Sequence, residues 1–241
     1  HLVARWMSVG FIHGVMNTDN TTISGQTIDY GPCAFLDAYD EATVFSSIDH
    51  AGRYAYGNQP RIVVWNLARL AEALLPLFDE EVETAIALAT EVLDTFEDRH
   101  RSAWLGLQRA KLGLATVRPG DDALIDDLHA VLRAARLDLT QAHRSLSKVA
   151  TAGPDDAPDL LGGDPAAVAW IARYRERLAL EAMGPAAVAA SMDRANPVYI
   201  PRNHKVEEAL EAAVGGDLGP YLLLVDLVTH PFEDRPGLES Y

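Results

Sequence analysis

Residues 13–32 read HGVMNTDNTTISGQTIDYGP. Within these twenty residues two aspartates, Asp19 and Asp29, alternate with three glycines and three asparagine or glutamine side chains. Gly14, Gly25 and Gly31 allow sharp backbone turns. Thr21–Ile23 and Gln26–Ile28 are β-prone on either side of Gly25, so a small β-hairpin is expected there. Such a hairpin would present Asn20 and Asp29 side by side, with Asp19 on the same rim. The plain alternative is that Asp19 and Asn20 cap a turn, as Asx residues often do.

The stretch also carries a damaged kinase signature. Protein kinases use H-R-D-L-x-x-x-N followed by D-F-G, the Asn and the second Asp holding magnesium on the nucleotide phosphates. His13 to Asn20 falls on that octet with its two ends intact, and Asp29-Tyr30-Gly31 supplies the triplet. Val15 stands where a kinase has its catalytic Asp, and an isopropyl group accepts no proton. A carboxylate returns four residues later, at Asp19.

Working outward, the string at 10–32, with FLD at 35–37, HAGRY at 50–54 and NQP at 58–60, resembles the selenoprotein O family. The resemblance resumes in NPVYIPRNHKVEEALEAA at 196–213 and GDLGPY at 216–221. It implies a kinase-like fold whose members transfer AMP, rather than phosphate, from ATP to Ser, Thr or Tyr hydroxyls of proteins. Asn20 and Asp29 would then hold Mg²⁺ or Mn²⁺ on ATP, and Asp19 would accept the hydroxyl's proton. The family binds ATP reversed relative to kinases, so the base moves because the reacting phosphate moved. Bacterial-type members are expected in the cytoplasm and eukaryotic relatives in mitochondria. Two other readings compete: phosphotransfer with Asp19 standing in for the lost base, and a pseudokinase-like scaffold that binds partners without chemistry.

The bulk composition sets limits. The 241 residues hold 20 Lys or Arg against 35 Asp or Glu, a net charge of −15. That balance argues against a nucleic-acid or anionic-membrane partner and makes cation screening of ATP the natural expectation. The hydrophobic fraction of 49% is ordinary for a globular chain, and the single cysteine, Cys33, allows no internal disulfide. No apolar run of membrane-spanning length is present.

The remaining chain reads as helical. Residues 1–12 form the end of a helix leading into the loop. Ile62, Val63, Trp65, Asn66, Leu67, Leu70 and Leu74 mark a wide apolar face that should end near Pro76. One helical run follows from Asp79 to about Ala115, and the pattern repeats over 121–149. TAGPDDAPDLLGGDP at 151–165 is a loop or linker. Further helices are expected over 165–182, 185–194, 205–214 and 220–228. His13 and Asn17 are expected to organise the loop, the Asp49-His50 pair to order the next segment through salt bridges or to contact substrate, and Arg202 to pin a helix start.

The expected fold is therefore mainly α: the helical carboxy-terminal lobe of a protein-kinase-like fold over 1–115, with a family-specific helical extension over 116–241. The strand lobe a kinase needs has no counterpart before residue 13, so the chain is expected to be the carboxy-terminal half of a longer protein. Such a half should bind metal–ATP far more weakly than the whole.

Overall fold

The computed structural model describes residues 1–153, 161 and 163–241. It is mainly helical, as expected, with two strands of two residues each. The elements are α1 (Leu2–Ser8), β1 (Phe11–Ile12), β2 (Ala34–Phe35), α2 (Gln59–Phe78), α3 (Val82–Asp94), α4 (Phe96–Lys111), α5 (Asp121–Ala134), α6 (Leu139–Thr151), α7 (Pro165–Leu178), α8 (Pro185–Ala195), α9 (Asn203–Val214) and α10 (Gly219–Thr229). Two compact units result, one of residues 1–33 and 41–104, the other of 34–40 and 105–241. The stretch expected as a loop at 151–165 lies largely outside the described residues. Among the described residues, no helix is long and apolar enough to cross a membrane.

In the first unit, α1 and α2 close a small core of Val3, Met16 and Ile62, with Trp6, Met7, Tyr54 and Val63 packed against it. Met16 comes from the loop itself, so burying its side chain anchors the loop to α2. The helix α2 ends at Phe78, two residues past Pro76 and as near to it as expected. Pro76 lies in the last turn, where the missing N–H removes one bond and little helix remains to be disrupted.

The expected run over 79–115 is two helices. Thr95 closes α3, its hydroxyl donating to the Val92 carbonyl at 2.7 Å, and Glu97 and Asp98 open α4. Acids there suit the partial positive charge of a helix amino terminus. The second expected run, 121–149, also divides. Arg136 takes a positive φ of 50°, Leu137 N–H returns to the Leu132 carbonyl, and Asp138 caps α6 by accepting from Gln141 N–H at 2.7 Å.

The second unit is built on α5 against α7 and α6 against α8, with α9 and α10 paired beside one another. Trp170 and Tyr174 stack at 4.9 Å between centroids, and each satisfies its polar tip on a backbone carbonyl, Leu124 and Leu112 respectively. Arg177 binds Asp121 at 2.6 Å and Glu181 at 2.7 Å, with Thr116 O as a third acceptor. Arg202 performs its expected role. Six per cent exposed, it stands at the amino-terminal cap position of α9 and pairs with Asp37 at 2.5 Å and Asp138 at 2.7 Å.

Burial in this unit predicts a pH dependence. Lys111 is buried, which pulls its ammonium down to about 7 from the ordinary lysine value of 10.5. A base whose folded pKa is depressed binds fewer protons folded than unfolded between those two values, so stability rises with pH across that window and levels off below it. His143, buried beside Lys111 and His129, is held well below the ordinary histidine value and adds the same sign of dependence below pH 6.5. Urea unfolding at pH 7.5 and 9.5 should show higher stability at the upper pH. Lys111→Met should flatten that slope; an unchanged slope would refute the assignment to Lys111.

Candidate active site

The loop from His13 to Pro32 is closed at its base by its own ends. His13 is 1% exposed, and its Nε2–H donates to the Ile28 carbonyl at 2.8 Å, one residue before Asp29. Gly14 has φ +87°, and a Cβ built there would lie 2.9 Å from both Cγ and O of Pro32. Only glycine lets the first turn of the loop lie against its last residue. Gly14→Ala should cost about 1–3 kcal/mol through backbone strain and the Pro32 clash. The check is hydrogen exchange over 17–31 together with thermal unfolding; unchanged protection and Tm would contradict this closure.

Between those ends the chain is held from α2 and the segment before it. Gln59, fully buried, accepts from His13 N–H at 3.1 Å and donates to the Phe11 carbonyl at 3.0 Å. Asn66 Nδ2 donates to the Met16 carbonyl at 3.1 Å and to the Thr21 hydroxyl at 2.8 Å. Tyr54 donates its hydroxyl to Asn17 Oδ1 in a short hydrogen bond. Asp49 in turn fixes Tyr54 by accepting from the backbone N–H of Arg53 and of Tyr54, both at 2.8 Å. So Asn17 and Asp49 serve the loop order expected of them, and Gln59, Asn66 and Tyr54 are supports that sequence reasoning overlooked. Their signal was present: two amides standing on an otherwise apolar helix face need partners.

No hairpin forms over 21–28. Thr21 and Thr27 hydroxyls are taken by Asn66 and by Trp6 Nε1–H, the latter at 2.9 Å. Thr22, Ser24 and Gln26 bond among themselves at 3.2–3.3 Å. Side chains that hydrogen-bond locally compete with a strand ladder, and here they win. The two short strands stand on either side of the loop, at 11–12 and 34–35.

Asp19 and Asn20 end a single 3₁₀ turn, Thr18–Asn20, in which Asn20 N–H returns to the Asn17 carbonyl at 3.1 Å. Asp19 is exposed, and no hydrogen bond reaches its carboxylate among the described residues. Asn20 is half-buried, and its Nδ2 donates to the Val15 carbonyl at 3.0 Å. That bond fixes the amide and leaves Oδ1 as the free acceptor. Asp29 is exposed at φ 55°, with Gly31 N–H folded onto its carbonyl at 2.9 Å. Among the described residues, Asp29 and Arg136 are the non-glycine residues with positive φ. Aspartate tolerates this region better than most side chains, yet the conformation carries strain, and such residues concentrate at functional sites.

Two hard oxygen donors, Asn20 Oδ1 and the Asp29 carboxylate, suit a magnesium-like cation that takes its other ligands from phosphate and water. Among the described residues, no group of three or more His, Cys, Asp or Glu is arranged to hold a metal on its own.

Comparison with known proteins converges on one family. The family model described as "Protein adenylyltransferase SelO" matches residues 1–227. A protein nucleotidyltransferase YdiU of Mycobacterium sp. (strain KMS) is 53% identical over the whole chain and 48% of its own length. A YdiU of Cereibacter sphaeroides is 54% identical over 99% of the chain and 48% of its length, and one of Rhodopseudomonas palustris 49% identical over the whole chain and 49% of its length. The chain thus spans about half the length of the curated relatives it matches. With a family match across 227 of 241 residues, this chain belongs to the protein adenylyltransferase SelO family.

Proposed function

We propose that the chain carries the catalytic loop of a protein adenylyltransferase, which moves AMP from ATP to Ser, Thr or Tyr hydroxyls of proteins. One observation carries this reading: Asp19 and Asn20 are adjacent, yet Asn20 is fixed by Val15 with its oxygen free while the Asp19 carboxylate is unengaged. Adjacent groups so differently held suit two jobs, a ligand and a base.

In the proposed reaction the acceptor hydroxyl oxygen forms a bond to the α-phosphorus of ATP. The bond from that phosphorus to the bridging oxygen breaks, pyrophosphate leaves, and the hydroxyl proton passes to Asp19. Asn20 Oδ1 and Asp29 would hold Mg²⁺ or Mn²⁺. When bound, the ion supplies charge neutralisation on the phosphates. Val15 cannot serve as the base, and Asp19 is the exposed carboxylate next to the ligand pair. His13 is committed to the Ile28 carbonyl and shapes the loop without moving a proton.

The test is mass spectrometry of the whole protein and an acceptor protein incubated with ATP and Mn²⁺. A nucleoside monophosphate adduct on hydroxyl side chains supports the proposal. A bare phosphate adduct would support the phosphotransfer alternative, and no adduct the scaffold.

A further inference from the structure

The face of α2 that does not pack gathers positive charge. Residues 50–71 contain three arginines, Arg53, Arg61 and Arg69, and no aspartate or glutamate, in a chain of net charge −15. Arg61, Trp65 and Arg69 follow one another at i, i+4 and i+8, so they share one helix face. All three are exposed, Trp65 by 42%, whereas Ile62 and Asn66, about a quarter turn round the helix, are buried. The Arg53 guanidinium lies 4.8 Å from the Trp65 ring centroid, and that of Arg69 lies 5.4 Å away. Arg69 also pairs with Glu72 at 2.5 Å, a contact open to solvent. Among the described residues, no carboxylate is paired with the side chain of Arg53 or Arg61.

This face joins the reactive loop. Asn66, next to Trp65, bonds to Met16 and Thr21 on either side of Asp19 and Asn20. Between loop and helix lies a cleft of about 280 Å³, lined in part by Thr18, Thr22, Ile23, Leu67 and Leu70. It admits one apolar side chain. Ile23, 91% exposed, stands at it with no packing partner to explain an isoleucine there.

We propose that the Arg61–Trp65–Arg69 face, with this cleft, docks the protein acceptor through an acidic segment beside its target hydroxyl. An exposed tryptophan flanked by guanidiniums is the composition of a binding hot spot rather than of an idle surface. Arginines gathered round an exposed tryptophan, in a stretch with no acid of its own, select an anionic ligand locally. The cleft adds an apolar side chain to that specification. The occupant is thus a polypeptide with Asp or Glu residues and one apolar residue near a Ser, Thr or Tyr. Its identity as acceptor rests on the transfer reading; the existence of the docking face does not.

The experiment is an anisotropy titration of the whole protein with a fluorescein-labelled peptide of Glu, Leu and Ser, against a control peptide with Lys in place of Glu. The acidic peptide should bind and the basic one should not use this face. Neutralising one exposed arginine, as in Arg61→Ala, should weaken binding about 2–5-fold. Trp65→Ala should weaken it on the order of tenfold, and added salt should erode the arginine effects. ATP affinity should be the same in all variants. Equal peptide affinity in wild type and an Arg61→Glu, Arg69→Glu double variant would overturn the proposal. It would be overturned equally if the double variant lost ATP and kept the peptide, which would make the face a phosphate site. Arginine-dependent peptide binding together with no adduct from the whole protein would leave the docking face standing and sink the transfer reading instead.

Discussion

Asp19→Asn in the whole protein should lower turnover about 10²–10⁴-fold and leave metal–ATP affinity nearly unchanged. The substitution keeps the size and hydrogen-bonding reach of the side chain but removes its capacity to take a proton. The 3₁₀ turn should survive, since it is closed by backbone bonds and no described residue hydrogen-bonds the Asp19 side chain. Asn20→Ala should behave differently. It removes Oδ1 as a ligand and also the Nδ2 bond to Val15, so metal binding weakens and raising Mn²⁺ restores part of the rate. Turnover measured against metal concentration for both variants separates the roles. Rescue of Asp19→Asn and not of Asn20→Ala would mean that the two roles are exchanged.

The helices and the position of the loop were legible in the sequence because their causes are local. Apolar residues at helical spacing marked α2 and the helical runs over 79–115 and 121–149, and Asx and glycine residues marked the loop. The boundaries that escaped had no local sign. Arg136 occupies a left-handed position where glycine would have announced a helix end, so α5 and α6 read as one pattern. Thr95 separates α3 from α4 without glycine or proline, leaving only the acids Glu97 and Asp98 as a hint. Pro76, by contrast, marked the end of α2 to within two residues.

The loop conformation was illegible for a different reason. Thr21 and Thr27 favour strand when taken alone, and what engages them is long-range: Asn66 is 45 residues from Thr21, and Trp6 is 21 residues from Thr27. The supports of the site come from the same distance. Gln59 and Asn66 sit on α2, seven residues apart and so two turns along one helix face. Each reaches one part of the loop, Gln59 the entry and Asn66 the turn that bears Asp19. A rigid helix thus sets the spacing between the closed base of the loop and its reactive tip. The three proposed site residues could be named from the kinase-like spacing, but the way they are held could not, because nothing local to the loop marks Gln59 and Asn66 as its partners.

Asp29→Ala in the whole protein should abolish nucleotide transfer, the largest effect expected of any single substitution here, while leaving the fold intact. Asp29 supplies the only charged ligand in the proposed pair, and a neutral Asn20 alone is a poor site for a doubly charged ion. Its side chain is exposed and takes no hydrogen bond among the described residues, so folding loses no contact. The backbone makes the prediction sharper. At φ 55° alanine tolerates the left-handed position less well than aspartate, whereas glycine tolerates it freely. Asp29→Gly therefore removes the carboxylate without adding strain. If the carboxylate is what matters, Asp29→Ala and Asp29→Gly should be equally inactive with near-wild-type Tm, and neither should be rescued by Mn²⁺ as fully as Asn20→Ala. A well-folded Asp29→Gly protein with near-normal transfer would remove Asp29 from the site. Activity in Asp29→Gly but not in Asp29→Ala would show that the loop needs the left-handed backbone and not the metal ligand.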